Sequence, residues 1–383
     1  MSLRLDGVSD RVVVRAPAKI NLFLSVHGRR DDGYHELTTV LQTVSLCDEL
    51  HLRLAGPEAR RHHPAGRGRM RVEVRADDPR VPDEGNLVRA AAELMGAASR
   101  AGDRAAREEG TSARVGSAGP ARGGSARSDS AGRPCRTLQV VTDEDPHRDG
   151  PGAGAATSPG VAAEDDGALR TVIELAKAIP VAGGMAGGST DAAATLLGLD
   201  ALWGCDLEHP ELNALAADLG SDVPFCLVGG TAIATGRGES VASVLTRGTY
   251  HWVVGIDEEP LSTPAVYREL DAMAERGAVP AEDGGSPEAV LAALRHGDPE
   301  RLAAALHNDL EPAACALRPA LVERRAALEE AGALAAIVSG SGPTLLGLAR
   351  DADHAEALAA AVTDRFDAVH VVRSPAGGPE LVA

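Results

Sequence analysis

The residues best suited to chemistry lie between Pro180 and Thr190. The run Pro180-Val181-Ala182-Gly183-Gly184-Met185-Ala186-Gly187-Gly188-Ser189-Thr190 sets two Gly-Gly pairs and a hydroxyl between a strand-like segment and an Ala/Leu-rich helical one. Glycines let the backbone approach a ligand closely and turn its N–H groups inward. A helix expected to start near Ser189 aims its positive end at the same place, so phosphate oxygens are the natural guest. Two familiar phosphate loops are excluded by spacing. Thr190 is followed by Asp191 with no lysine beside it, and no Gly-x-Gly-x-x-Gly occurs. A simple turn needs one or two glycines rather than two pairs. Ser189 fits either a helix cap or a hydroxyl ligand for Mg²⁺. Asp191 reads as an ordinary first-turn acid.

A second set of groups is scattered along the chain. Lys19 stands in a strand-like run, and Lys177 is the other of the chain's two lysines. In so Arg-biased a sequence, a lysine there suggests a need for a compact ammonium. Asp222, in Gly220-Ser221-Asp222-Val223-Pro224-Phe225, offers a carboxylate. Taken alone, Asp222 is more often a turn residue before Pro224, and Lys19 a strand residue that snorkels. Asn21 shares a face with Lys19 if the strand is regular. Tyr34 and His35 follow a polar turn, and aromatics are only 2% of the chain. Gly340, Ser341 and Gly342 form a second glycine loop, as consistent with a tight turn as with a ligand contact. Thr231 is a further candidate contact.

These groups need elements to hold them. Arg11–His27 reads as two strand pieces about a Pro kink, and Thr38–Leu54 as another strand. A short strand at Val72–Val74 precedes a helix over Asn86–Ala98. From Ser99 to Gly167 the chain is mostly Gly, Ala, Ser, Arg and Asp, too apolar-poor to offset chain entropy. It is expected to be a disordered insertion, interrupted by a strand at Thr137–Thr142. Leu169–Ala178 is a strand leading into the glycine loop. Glu211–Leu219 is a helix stopped by Gly220. Ser221–Pro224 is a tight turn, and Phe225–Ala234 is β-like. Strands at His251–Ile256, Ala335–Ser339, Thr344–Ala349 and Ala368–Arg373 alternate with helices at Pro264–Arg276, Pro287–His296, Pro299–Ala305, Arg318–Ala331 and Ala352–Phe366. That mixture predicts an α+β protein with a second domain.

Composition narrows the partners. The 383 residues are 44% hydrophobic, with a formal charge of −18. Such acidity disfavours nucleic acid and anionic lipid, while leaving room for a locally positive site. The five widely spaced cysteines lack a Cys-x-x-Cys pair and suit reduced thiols of the cytoplasm. No apolar run approaches membrane-spanning length, and the start shows no apolar signal region. The expectation is a cytoplasmic chain with no nucleic-acid or membrane partner, monomeric or homodimeric.

Three segments in order, Ala16–Leu24, Pro180–Ala193 and Ser339–Leu348, resemble the three motifs of the GHMP small-molecule kinases. Gly33–Leu37, Gly220–Phe225 and Asn308–Glu311 narrow the resemblance to the branch acting on a cytidine diphosphate-linked methylerythritol in the non-mevalonate isoprenoid pathway. The resemblance spans nearly everything outside 99–167; Thr190 departs from a familiar Ala. It implies an α+β N-terminal domain like ribosomal protein S5 domain 2 over 1–247, and a ferredoxin-like domain over 248–383. It implies ATP and Mg²⁺, with ATP held by the Pro180–Thr190 loop. Asp222 would take the proton of the substrate hydroxyl, and Lys19 would keep it ionised and stabilise developing charge. Tyr34 would stack on cytosine, His35 would hydrogen-bond it, Asn21 would position the substrate, and Gly340–Gly342 would close over the site. A homoserine or mevalonate-type kinase has no use for a cytosine-stacking ring, and a dead homologue has no need of both Lys19 and Asp222.

Overall fold

In a computed structural model the protein is described over residues 10–31, 33–55, 68–82, 84–112, 138–141, 169–278 and 285–382. The first Val/Leu-rich runs form one long antiparallel pair, β1 (Arg11–Arg29) and β2 (His35–Ala55). The chain continues through β3 (Gly68–Ala76), α1 (Leu87–Ser112), β4 (Leu138–Val141) and β5 (Leu169–Ala176). Next come α2 (Gly187–Trp203), α3 (His209–Leu219), α4 (Val223–Val228), β6 (Thr231–Gly236) and β7 (Ser240–Ser243). The second half holds β8 (Tyr250–Ile256), α5 (Thr263–Glu275), α6 (Pro287–His296), α7 (Pro299–Ala303), β9 (His307–Asn308), α8 (Glu311–Leu317) and α9 (Ala320–Glu330). It ends with β10 (Ala335–Val338), β11 (Leu345–Ala349), α10 (Ala352–Val362), β12 (Ala368–Ser374) and β13 (Glu380–Val382).

The first sheet runs β13-β1-β2-β5-β3-β4, with β6 and β7 continuing from β2 and β9 parallel to β1. The second runs β10-β11-β8-β12, all antiparallel. Its strand–helix–strand–strand–helix–strand order is the ferredoxin-like arrangement the resemblance implies. Strands β9 and β13, from the second half, return to the first sheet. One core lies between the first sheet and α1–α4; α2 is buried nearly all round, through Ala192, Ala193, Leu196 and Leu199. A second core, with Ile20, Leu22, Trp252 and Leu346, joins the two sheets.

Breaks in the β1–β2 register decide what faces the site. The pairing shifts between Pro17 and Lys19 and again between Asn21 and Phe23. The expected Pro kink is therefore a bulge within one strand. Before it, Val14 and Ala16 pack on the helix-side core; after it, Ala18, Ile20 and Leu22 pack on the inter-sheet core. At the first break Ala18 alone stands against Val44, Ser45 and Leu46 of β2, and this irregularity bends the pair. Lys19 and Asn21 line the cleft where α2 begins.

Three expectations are corrected. The segment from Phe225 starts inside a short helix, α4, and β6 begins only at Thr231. Pro224 lies in the first turn, where proline suits a helix start, and the buried Val223, Phe225, Cys226 and Leu227 pack into the helix-side core. The helix after the glycine loop starts at Gly187, so Ser189 is not its cap; Ala186 holds that position without a side-chain cap. The first helix continues to Ser112, beyond the expected Ala98, and α8, β7 and β13 were not foreseen. Of the expected 99–167 insertion, the end of α1 and β4 are described, and β4 matches the anticipated strand. The rest lies outside the described residues.

Candidate active site

The glycine loop is shaped by left-handed backbone. Ala182, Gly184 and Ala186 take φ of 55°, 76° and 55°, alternating with their neighbours before α2 starts. Such alternation turns successive N–H groups to one side and makes an anion-binding concavity. Its docking is specific. The Lys19 N–H donates to the Met185 carbonyl at 3.2 Å, and the Thr190 hydroxyl donates to the Pro17 carbonyl at 2.8 Å. The loop therefore seats on the β1 bulge. On its other side lies the second glycine loop. The Ser339 hydroxyl donates to the Gly184 carbonyl at 3.2 Å, and a Cβ on Gly184 would come within 2.1 Å of the Ser339 carbonyl. The Asn308 amide fixes that second loop, donating to the Val338 and Gly340 carbonyls at 2.9 and 2.7 Å.

A cleft of about 990 Å³ opens where these pieces meet. Ala182, Gly183, Gly184, Ala186, Gly187 and Gly188 line it, whereas Pro180, Val181, Met185, Ser189 and Thr190 do not. Met185 and Thr190 are buried, and Ser189 is half-buried in the first turn of α2. Asn21, Tyr34, His35, Gly340 and Ser341 also line the cleft; Gly342 does not. Thr231 is buried, and its hydroxyl accepts from Gln42 instead.

Lys19 and Asp222 meet in this cleft, with Nζ 3.5 Å from Oδ2. Lys19 is 8% exposed and Asp222 34%, so the ammonium is enclosed while the carboxylate still faces the opening. The Lys19 ammonium also donates to Asn21 Oδ1 at 2.9 Å. Asn21 in turn donates to the Thr39 hydroxyl at 2.8 Å, which donates to the Phe23 carbonyl at 2.6 Å. That relay fixes which end of the Asn21 amide faces the lysine. Asp222 sits at the start of α4 and caps no N–H with its side chain, so its carboxylate is available to the cleft.

Tyr34 differs from the other aromatic residues in its exposure. Seven of the eight aromatic side chains are buried or half-buried, five of them fully (Trp203, Trp252, Tyr250, Phe23 and Phe225). Tyr34 is 58% exposed at the cleft, with the Arg237 guanidinium 5.1 Å from its ring centre. His35 stacks on Tyr267 with centroids 4.9 Å apart. Burial first and the Asp222 charge second push the Tyr267 hydroxyl up to about 12.

Sequence reasoning missed Tyr267, Asp271, Arg29, Arg237 and Arg268 on the cleft wall. It also missed what Lys177 and Asp191 do. The Lys177 ammonium donates to Asp191 at 2.7 Å and to Asp48, and Asp48 also accepts the Ala178 and Ile179 N–H groups. Burial pulls Lys177 down, but the charges of Asp191 and Asp48 outweigh it and the net direction is up. Burial raises Asp191 to about 7 against the pull of Lys177. This buried triad ties β2, the end of β5 and the first turn of α2 together under the glycine loop. Two lysines in a chain rich in arginine were the available signal.

Comparison with known proteins follows the same lines. The GHMP kinases N terminal domain matches residues 155–230, and the GHMP kinases C terminal family matches 290–368. A Rhodococcus jostii protein named 4-diphosphocytidyl-2-C-methyl-D-erythritol kinase is 40% identical over 382 residues, covering 99% of this chain and 97% of the relative. A Salinispora tropica protein of the same name is 43% identical, covering 92% and 88%. A crystal structure of a 4-(cytidine 5'-diphospho)-2C-methyl-D-erythritol kinase superposes with a TM-score of 0.61 at 29% identity, covering 95% of this chain and 100% of the other. A homoserine kinase from Cytophaga hutchinsonii shares the fold, with a TM-score of 0.60 at 18% identity over the full length of both.

Proposed function

Because the chain belongs to the 4-diphosphocytidyl-2-C-methyl-D-erythritol kinases of the GHMP kinase family, we propose that it transfers the γ-phosphoryl group of ATP to the 2-hydroxyl of 4-diphosphocytidyl-2-C-methyl-D-erythritol. This is a step of the non-mevalonate route to isoprenoid precursors. The observation that carries the mechanism is the approach of Lys19 to Asp222, 3.5 Å apart beside the glycine loop.

Phosphoryl transfer needs a held phosphate, an aimed nucleophile and neutralised charge. The loop's inward N–H groups and the start of α2 hold the triphosphate. Asp222 accepts the proton of the attacking hydroxyl as general base. Lys19, fixed by Asn21, balances the Asp222 carboxylate before transfer and the alkoxide during it. Asn21 aims the acceptor, and Gly340–Gly342 closes over it. The Tyr34 ring stacks on the cytosine and His35 hydrogen-bonds its edge. An N-terminal unit of 1–247 then carries ATP and the reacting groups, and 248–383 completes the acceptor side.

Mg²⁺ binds oxygen donors and usually keeps water and phosphate in its shell. Among the described residues, no group of three or more His, Cys, Asp or Glu could hold a metal ion. That donor set fits an ion that arrives on the triphosphate; Ser189, half-buried and off the cleft wall, is not placed to be its donor, contrary to the sequence expectation. When bound, the ion supplies positive charge to the phosphate oxygens.

Among the described residues, no helix is long and apolar enough to cross a membrane. The described cysteines Cys47, Cys205, Cys226 and Cys315 are free thiols, in keeping with a cytoplasmic protein, monomeric or dimeric. ADP release should be measured with the cytidylyl compound, mevalonate and homoserine as acceptors. Turnover of the cytidylyl compound alone is expected; turnover of mevalonate or homoserine without it would defeat the assignment.

A further inference from the structure

Tyr267 and Asp271 lie four residues apart on α5, so both present to one face of the helix. Opposite that face stands His35, the first residue of β2. The two side chains grip the imidazole at two points. Stacking on Tyr267, with an interplanar angle of 29°, sets the plane of the ring. A hydrogen bond of 2.8 Å between Nε2 and Asp271 Oδ1 sets its rotation.

The second contact has a chemical consequence. A carboxylate only accepts, so the ring nitrogen that faces Asp271 carries the proton. In the neutral imidazole Nδ1 is then an acceptor. Among the described residues no group bonds to Nδ1, and the ring lines the cleft. Cytosine and uracil differ along one edge: beside N3, which is bare in cytosine and protonated in uracil, cytosine carries the N4 amine, a donor, where uracil carries the O4 carbonyl, an acceptor. An accepting Nδ1 pairs with the first and opposes the second.

We propose that Asp271 is a specificity-determining positioning residue. It holds His35 in the Nε2-protonated form, and thereby selects a cytosine base over a uracil base. This rests on the reading of the cleft as a cytidylyl site. Asp271 acts through His35 and touches no reacting atom. Were Asp271 only a clamp between α5 and β2, its loss would weaken both bases alike. Sites that place a polar group against a substrate donor reject analogues lacking it, because the buried group is left unpaired.

The test uses the full chain, with cytidine diphosphate- and uridine diphosphate-linked methylerythritol as acceptors. Wild type is expected to favour the cytidine compound in kcat/KM. Asp271→Ala should lower that preference by about tenfold or more, the scale of one hydrogen bond, while KM for ATP stays unchanged. Asp271→Asn, whose amide oxygen can take the same proton, should restore part of the preference. An unchanged preference, with both acceptors weakened together, would overturn the proposal. Nitrogen-15 spectra of the ligand-free wild type give a second readout, free of any folding defect in the variants. They should show His35 protonated on Nε2, and protonation on Nδ1 would overturn the proposal. A wild type that leaves the cytidylyl compound untouched would sink the assigned reaction and base selection with it. That failure is recognisable because the tautomer is read without substrate.

Discussion

Replacing Gly188 with Ala distinguishes a loop that grips phosphate from one that merely turns. Gly188 is the second residue of α2 and lies exposed on the cleft wall. A methyl group built there meets Leu87 Cδ1 at 3.8 Å, an ordinary contact, and no left-handed φ is involved. Within a helix Ala is favoured over Gly by about 0.8–1 kcal/mol, part of which the first turn realises. The fold should therefore keep or slightly raise its Tm. The space the methyl fills is the space a phosphate oxygen would take. Holding that oxygen off one N–H forfeits a charge-assisted hydrogen bond of about 1.5–3 kcal/mol, or about 10- to 150-fold in KM for ATP. ADP release at saturating acceptor, with ATP titrated, reads the effect, and a thermal melt reads the fold. An unchanged KM for ATP with a normal melt would refute phosphate contact at this residue. Gly184→Ala is the opposite case. Its φ of +76° alone costs an L-residue about 1–2 kcal/mol, and its Cβ would lie 2.1 Å from the Ser339 carbonyl. It should damage stability whether or not ATP is present.

The other perturbations address the ammonium–carboxylate pair, the strained loop and the buried triad. Asp222→Asn should cut kcat by about 10²–10⁴-fold, the range of a general base, while nucleotide binding by titration calorimetry persists; a near-normal rate would reject the base role. Ala186→Gly removes left-handed strain of about 1–2 kcal/mol and should raise the urea midpoint, so a lowered midpoint would count against strain at φ 55°. Lys177→Met strands the Asp48 and Asp191 carboxylates in the interior and should cost about 3–5 kcal/mol in urea unfolding. A loss on the scale of a surface ion pair, below about 1 kcal/mol, would mean the triad does not hold the loop in place.

What the sequence made legible follows from how local each signal is. The glycine loop was readable because its glycines, strand and helix are contiguous. The long strands, α3, α5 and α6 were readable from periodicity and Pro or Gly boundaries. Lys19 and Asp222 were joined through resemblance, since nothing local tells a strand lysine that a distant turn will bring it a carboxylate. The irregular pairing at Pro17–Lys19 depends on extra residues of β2 that stand opposite Ala18, which composition does not encode. Phe225–Val228 looked like strand because its side chains suit either element; in the fold it continues a short helix that starts at Val223 with Pro224 in its first turn. Tyr267 and Asp271 form a visible i,i+4 pair, yet their meaning appears only once α5 lies over the start of β2. The cleft arginines were hidden by their abundance elsewhere.

Those arginines answer the difficulty posed by the overall charge. A chain at −18 should repel a triphosphate and a diphosphate-linked acceptor. The cleft wall does not share that imbalance: Lys19, Arg29, Arg237 and Arg268 stand against Asp218, Asp222, Glu239 and Asp271, four cations to four carboxylates. Two of the carboxylates are already engaged within the wall, Asp222 by Lys19 and Asp271 by His35. Glu239 lies 3.9 Å from Arg237. Against this nearly balanced background the fixed N–H groups of the loop and the start of α2 tip the local potential positive, where they would count for little on the acidic outer surface. The acceptor side gains from the same arrangement, because Arg237 lies over Tyr34 and brings a cation to the place where a stacked base would leave its phosphates. Charge sets where anions can enter, and the two interlocked loops set how they lie once inside.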